Sequence, residues 1–587
     1  MCGIVGYAGG RKASEIIYEG LKRLEYRGYD SAGIATLSGG EIFVGKKQGR
    51  VGVLESLIGG LDGNTGVGHT RWATHGKPSD ENAHPHCAGK FAVVHNGIIE
   101  NFAQLKERFF YGVEFSSQTD SEIIVRLLNE FYDGDLLSAL KCVADVLQGS
   151  YALAVICADF NGLAVLKKNS PAIIGYGKDG NFVASDCPAL AGECSEITIL
   201  EDGDIAVVSQ DCVRIYDGDL KPAERGRIKN LATPASLELG DCPHYMLKEI
   251  YEVPASVERT CADYFTVEKK VSEVLRGIDR IIIVGCGTAY NSGLVAKRYI
   301  ESFARMPAEA EIAGEFRYKN PVITPTTAVI AISQSGETAD TVEAAKLALS
   351  LGAKVIAVTN APYSALTRCA DAVVPVGAGP EICVAATKSY TGQITALYLL
   401  AKTLAGVSAQ ASFEKLSVMP KLCIQTIENI DVSTLADMCA RSDGAYFLGR
   451  DIDYAVALEG SLKLKEISYV PSEGYPAGEL KHGTLALIDI RAVAVVIITD
   501  ERLAGKCENA VEQVLSRKGK AVVITNVGGL EKTFEGRAEV IKIPECDVYL
   551  SPLLSAIAVQ LVAYRTALLL DRDPDKPRNL AKSVTVE

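Results

Sequence analysis

The apolar positions change their rhythm near the middle of the chain. Up to about residue 220 they come in short runs divided by glycines and polar clusters. Ile4-Val5-Gly6, Ser31-Ala32-Gly33-Ile34-Ala35, Phe91-Ala92-Val93-Val94 and Ala152-Leu153-Ala154-Val155-Ile156 predict buried strands. Helical spacing sets in over Ser14 to Leu24 and Asp120 to Phe131. Strands interleaved with helices predict sheets covered by helices. Pro222, Pro234, Pro243 and Pro254 follow in a stretch of mixed polarity. A connector over 220–245 is expected there, leading into a helix around Tyr245 to Val257.

Beyond the connector the pattern repeats. Ala328-Val329-Ile330-Ala331-Ile332-Ser333 and Lys354-Val355-Ile356-Ala357-Val358-Thr359-Asn360 recur 166 residues later as Ala494-Val495-Val496-Ile497-Ile498-Thr499 and Lys520-Ala521-Val522-Val523-Ile524-Thr525-Asn526. Each copy opens with an apolar run ending in glycine, Ile281 to Gly285 and Ala445 to Gly449. Near-continuous apolar strands separated by helices predict parallel sheets buried on both faces. Two doubly wound α/β domains are expected, over 246–412 and 413–575, with ligands beyond the strand C-termini. A polar tail, 576–587, follows.

The copies diverge after the matching strands. The first continues Ser333-Gln334-Ser335-Gly336-Glu337-Thr338 into a helix. Hydroxyls and free N–H groups at a helix start can cradle a phosphate, although the segment also reads as a plain turn. The second continues Thr499-Asp500-Glu501-Arg502, with acidic residues where a phosphate would go. One copy is therefore expected to hold phosphate and the other to do another job.

Length and composition narrow the class. At about 100–200 residues per domain, 587 residues suggest three or four domains. The net charge of −13 argues against a nucleic-acid partner, which needs clustered Lys and Arg. No apolar run approaches about 18 residues; Leu550 to Leu570 comes nearest and is broken by Gln560 and Arg565. The N-terminus lacks a basic-then-apolar signal, so a cytoplasmic protein without a membrane partner is expected. The 16 cysteines are scattered, with no C-x-x-C pair, and are expected to be reduced. No zinc-ligand spacing is visible, and only His84-Pro85-His86-Cys87 suggests a metal.

Chemistry gathers in the N-terminal third. Removal of Met1 would leave Cys2 with a free α-amine, which titrates at about 7.7–8.0 against about 8.5 for a thiol. Such an amine can activate its own thiol as a nucleophile. Five of the seven His lie between His69 and His95. Arg71 can grip a carboxylate, Asn96 and the Gly97 N–H can hold an oxyanion, and Asp120 can accept from an ammonium.

Met1-Cys2-Gly3-Ile4, Tyr26-Arg27-Gly28-Tyr29-Asp30-Ser31, His69-Thr70-Arg71-Trp72-Ala73-Thr74-His75-Gly76 and His95-Asn96-Gly97 together resemble the class II glutamine amidotransferase domain, over residues 2–219. The resemblance implies an N-terminal-nucleophile hydrolase fold of four layers, αββα. It implies that Cys2 attacks the glutamine side-chain amide while Asn96 and Gly97 hold the oxyanion. Arg71 and Asp120 would bind the α-carboxylate and α-amino groups, and Thr74, His75 and Gly97 would line the pocket. Trp72, the only Trp, would gate an internal ammonia channel, with His84 and Arg27 in support.

The repeated half is similar to the tandem sugar isomerase (SIS) domains of phosphosugar enzymes. The whole chain resembles the family of isomerising glutamine–fructose-6-phosphate aminotransferases. The most specific parts are Ser333 to Thr338, Ala457 to Glu466, Gly478 to Gly483 and the tail from Pro577 to Glu587. The family implies L-glutamine and fructose 6-phosphate as substrates, no cofactor, and a homodimer. Lys582 would form a Schiff base with the open-chain ketose. Glu466, on one helix face with Lys463, would move a proton between C1 and C2. His482, supplied across the subunit interface in that family, would open the ring. Thr288, Ser333, Gln334, Ser335 and Thr338 would hold the phosphate and sugar hydroxyls, with Glu381 and Val384 in the same site. On composition alone the tail reads as a fraying terminus and Lys463–Glu466 as a surface ion pair.

Some positions depart from the family. Ala289 and Ala386 stand where many members carry Ser, and Thr484 where Pro is common. The short connector points to a bacterial type without a feedback insertion. Two rivals share parts of the pattern. Other amidotransferases share the first third but not the phosphate loop, the repeat or the Lys582 tail. A sugar-sensing regulator would need a basic DNA-binding module, and none is visible.

Overall fold

The computed structural model describes residues 2–230 and 232–585. Met1, whose removal the Cys2 chemistry expected above would require, and Val586 and Glu587 of the tail lie outside the described residues. The chain divides into two compact units: residues up to Glu238 joined by those from Ala581 on, and Leu239–Leu580.

The first unit is built on two antiparallel sheets. In the first, strand Gly3–Gly9 lies between Gly180–Ala184 and Thr65–Arg71, and Ser31–Ser38 pairs with Thr65–Arg71. In the second, Phe91–Ile99 lies between Gly149–Cys157 and His86–Ala88. Small and β-branched residues interdigitate between the sheets: Ile4, Ala8, Val67, Ala92, Val94, Ala154 and Val165 form one buried cluster. Helix Ala13–Arg23 lies against the first sheet. Helices Glu122–Phe131 and Leu136–Val146 cover the second, through Ile123, Leu127, Leu128, Leu140 and Val143. This is the four-layer αββα arrangement. Within the stretch expected as a connector, Arg227–Lys229 pairs with Glu196–Ile199 at the sheet edge. Pro222 and Pro234 flank that strand rather than interrupt it, so its backbone donors remain available for pairing.

The second unit holds the repeat. One parallel sheet runs in spatial order Ala308–Ile312, Arg280–Gly285, Thr327–Ser333, Lys354–Thr359, Ala372–Pro375. The other runs Ser472–Pro476, Gly444–Gly449, Ala492–Ile498, Lys520–Thr525, Glu539–Lys542. Both follow the order 2-1-3-4-5, whose switch point lies between the ends of the first and third strands. The copies agree down to the backbone. Gly287 (φ 55°, ψ −125°) and Asp451 (φ 56°, ψ −121°) precede equivalent helices, Thr288–Phe303 and Ile452–Ser468.

Helix Ser551–Leu569 is long and apolar enough to cross a membrane, but it is mostly buried inside the structure. It packs against helix Ile452–Ser468; Gln560 is buried and Arg565 lies on its exposed side. Its hydrophobicity is that of a core helix buried over most of its surface.

Candidate active site

Cys2 stands just before the strand Gly3–Gly9, half-buried. The Trp72 N–H donates to its Sγ at 3.2 Å, and the thiol donates to the Trp72 carbonyl at 3.6 Å. The Thr70 hydroxyl accepts from the Gly3 N–H, which fixes the chain leaving the thiol. Burial pushes the thiol up from its ordinary value, against the opposing pull of the Trp72 N–H and Arg71. A thiol so placed needs a base to become a nucleophile.

Asn96 reaches the same point from the other sheet. Its Nδ2 donates to the Cys2 carbonyl at 3.0 Å, and its Oδ1 lies 3.0 Å from His69 Nε2. Gly97 follows with φ +135°, and a Cβ there would stand 1.9 Å from the Ser150 carbonyl oxygen. Only glycine fits this close approach of the two strands. Gly28 is a second close approach: a Cβ would meet Arg71 and Trp72 backbone at 2.8 Å.

Arg71 is buried and donates through Nη2 to the His75 and Gly76 carbonyls. Its Nη1 is buried without a partner, an unmet donor suited to a carboxylate. Asp120 accepts from the Ile99 N–H at 2.7 Å. Thr74 and His75 are exposed, and the Trp72 ring meets Tyr29 edge-on at 5.3 Å. Buried Arg27 forms an ion pair with half-buried Asp186, which also accepts from the Tyr26 hydroxyl at 2.6 Å.

The histidines behind this site are neutral. His69 stacks on His84 at 4.1 Å, and His84 meets His86 edge-on at 4.6 Å. The His95 N–H donates to His84 Nδ1, His95 Nδ1 lies 2.8 Å from Ser121 Oγ, and His86 Nε2 lies 3.0 Å from Thr119 Oγ1. Burial drives His84 well below its ordinary value and takes His69 and His86 down to about 3. His84 and His86 of the segment that suggested a metal are taken up by ring packing, the His95 N–H and the Thr119 hydroxyl.

In the second unit, Thr288 and Ser333 stand at the C-terminal ends of the first and third strands of the first parallel sheet, on either side of its switch point. The Ser333 hydroxyl meets Thr338 Oγ1 at 3.0 Å and accepts from the Gly336 N–H at 3.0 Å, while Ser335 Oγ accepts from the Glu337 N–H. Gly336 has φ +62°, and a Cβ would lie 1.9 Å from Ser364 Oγ. The Gln334 carbonyl accepts from the Asn360 N–H at 3.2 Å. Thr288 opens the helix after the first strand, and its hydroxyl donates to Glu459 at 3.1 Å. Glu381 is buried and accepts from the Thr387 and Ser389 N–H groups and the Ser389 hydroxyl, capping helix Lys388–Leu404. The Val384 N–H donates to the Asp575 carbonyl at 3.1 Å.

Lys463 and Glu466 pair at 2.6 Å on helix Ile452–Ser468. They are not on the surface: the Lys463 side chain is 1% exposed. Burial opposes its charge, yet Glu466 and Glu459 outweigh burial and hold its pKa above the ordinary value. His482 is exposed on a 3-10 turn, Leu480–His482. Lys582, half-buried, belongs to the segment grouped with the first unit.

The equivalent crevice in the second copy is filled from within. Asp453 stands where the first copy has Ala289, and accepts from the Thr499 N–H at 2.8 Å and the Thr499 hydroxyl at 2.5 Å. Asp500, expected to face this crevice, instead caps the turn Glu501–Leu503 and pairs with Arg502. Asp453 and Glu459 were missed as candidates. Glu459 carried a signal in its spacing, four residues before Lys463 and seven before Glu466 on the same helix.

Residues 69–191 match the glutamine amidotransferase domain, and residues 274–403 and 439–570 each match the SIS domain. A glutamine–fructose-6-phosphate aminotransferase (isomerizing) of Caldanaerobacter subterraneus subsp. tengcongensis is 44% identical over 610 residues, covering 100% of both chains. The chain belongs to the glutamine–fructose-6-phosphate aminotransferase (isomerizing) family. Another member of this aminotransferase family, from Aquifex aeolicus, is 44% identical over 604 residues, again covering 100% of both chains. The solved C-terminal domain of glucosamine-fructose-6-phosphate aminotransferase from Francisella tularensis is 33% identical with a TM-score of 0.55, covering 58% of this chain and 99% of that one.

Proposed function

We propose that the chain transfers the amide nitrogen of L-glutamine to fructose 6-phosphate and isomerises the product, giving glucosamine 6-phosphate and glutamate. The observation that carries the first half is the meeting of Cys2 and Asn96 across two sheets, 3.0 Å from amide to carbonyl. Cys2 Sγ attacks the side-chain carbonyl carbon of glutamine, its proton passing to the amine of its own residue. The oxyanion is held by Asn96 Nδ2 and the Gly97 N–H. Collapse expels ammonia, which takes that proton, and water releases glutamate from the thioester. Arg71 Nη1 and Asp120 hold the α-carboxylate and α-ammonium, Thr74 and His75 border the pocket, and Trp72 gates its exit.

In the second half the phosphate rests on Ser333, Ser335 and Thr338, with Thr288 and Gln334 on the sugar hydroxyls. Glu381 and Val384 shape the wall. His482, from the second copy of a homodimer, opens the ring. Lys582 holds the open chain as a Schiff base until ammonia displaces it, and Glu466 moves the proton between C1 and C2 beside Lys463. Both substrates are small molecules, and no cofactor enters this scheme.

The test reads glutamate and glucosamine 6-phosphate together, with and without fructose 6-phosphate. Matched production, with little glutamate when sugar is absent, is the expected result. Glutamate without amino sugar would overturn the choice of ketose, and Ala289 and Ala386 would then mark a site shaped for another ketose phosphate.

A further inference from the structure

We propose that Glu459 is a positioning residue of the sugar site, holding the Lys463–Glu466 pair and the Thr288 hydroxyl in one arrangement. The proposal rests on the reading of Glu466 as the proton-transfer base. Glu459, Lys463 and Glu466 stand at i, i+4 and i+7, on one face of helix Ile452–Ser468. On an exposed helix such a ladder contributes little. Here the Glu459 side chain is 0% exposed and that of Lys463 1%. A buried charge costs heavily unless every lone pair is used. Those of Glu459 are used on two sides. Oε1 accepts from the Thr288 hydroxyl at 3.1 Å and faces Lys463 Nζ at 3.5 Å. Oε2 accepts from Asn291 Nδ2 at 2.8 Å.

Thr288 and Asn291 belong to the helix that starts at the switch point of the first copy, whereas Glu459 and Lys463 belong to the second copy. One carboxylate therefore ties the sugar-binding side to the proton-transfer side. Its effect on Glu466 is electrostatic. Lys463 reaches Glu466 at 2.6 Å, and Glu466, 15% exposed, is the member of the ladder open to a ligand. With Glu459 behind it, the ammonium is already balanced, and Glu466 is left free to take a proton. Without Glu459, Lys463 would hold Glu466 as its only counter-ion. Stability does not call for this arrangement: apolar side chains of similar volume are usually as good or better than a buried ion triad.

Glu459→Gln preserves the shape and still accepts from Thr288, and Asn291 can turn its amide to face the new one. Glu459→Asp preserves the charge. Both variants are assayed for glucosamine 6-phosphate and for glutamine hydrolysis, and their melting is recorded. The expected result for Glu459→Gln is a fall in kcat for amino-sugar formation of about ten-fold or more, within the range that proton transfer supplies. Its KM for fructose 6-phosphate should move far less, glutamine hydrolysis and melting should stay at wild-type level, and Glu459→Asp should recover part of the rate. Wild-type kcat in Glu459→Gln overturns the proposal. So does a loss shared equally by both variants together with early melting, which would make the role structural. If the wild-type chain itself forms no amino sugar from fructose 6-phosphate, the underlying reading fails, and that outcome is seen before any variant is compared.

Discussion

Asn96 shows how much one short side chain can be asked to do. Its oxygen is held by His69 and its nitrogen faces Cys2, so the amide cannot turn over without losing both contacts. On the proposed reading of Asn96 as an oxyanion donor, Asn96→Ala is expected to lower kcat for glutamine hydrolysis by about 10²–10³, the usual loss for one such donor. A glutamate-release assay checks this, with sugar isomerisation unchanged in the same preparation. Gly97→Ala should be as damaging, because its Cβ would stand 1.9 Å from the Ser150 carbonyl oxygen. Cys2, Asn96 and Arg71 were legible because polar, reactive types interrupt apolar strands. The service of His69 to Asn96 was not. It joins Thr65–Arg71 of one sheet to Phe91–Ile99 of the other, a contact that sheet packing decides.

At the scale of elements, the two copies differ in what fills the crevice at the sheet end. Asp453 is buried, and desolvation, reinforced by Asp500 and Asp451, raises its pKa to about 7 despite the Thr499 hydrogen bonds. An ordinary Asp titrates at about 3.9, so the folded chain binds this proton more tightly than the unfolded chain does. The resulting stability is full below about pH 4 and is lost as pH rises toward 7. Asp453→Asn is expected to melt above wild type at pH 8, by up to a few kcal/mol at about 1.4 kcal/mol per pK unit, with the gap closing toward pH 4. Thermal melts across that range check the sign. Glu381→Ala should cost about 1–2 kcal/mol of stability, because it uncaps helix Lys388–Leu404 and strands buried donors. The repeat itself was legible because strands buried on both faces read as apolar runs. That Asp453 rather than Asp500 meets Thr499 was not, since the two lie 46 positions apart and only the fold joins them.

For the whole molecule, two bulk properties are open to test. All sixteen cysteines are free, and Cys87, Cys142 and Cys212 are the exposed ones. On the proposed reading a thiol reagent should label Cys2, activated by its own amine, together with those three under native conditions, and a reductant should leave the melting temperature unchanged. Labelling of Cys157, Cys423 or Cys439 before unfolding would contradict the buried core. The charge of −13 predicts passage through heparin without retention at low salt. The duplicated half carries a quieter consequence. Two sheets of one topology, with matching φ and ψ at Gly287 and Asp451, would ordinarily offer a titrant two equivalents. Asp453 is a tethered competitor in the second, present at an effective concentration that no free anion matches. On the proposed reading, calorimetry with a phosphosugar should count one equivalent per chain, and a phosphate mimic should tell apart two halves that their backbones do not.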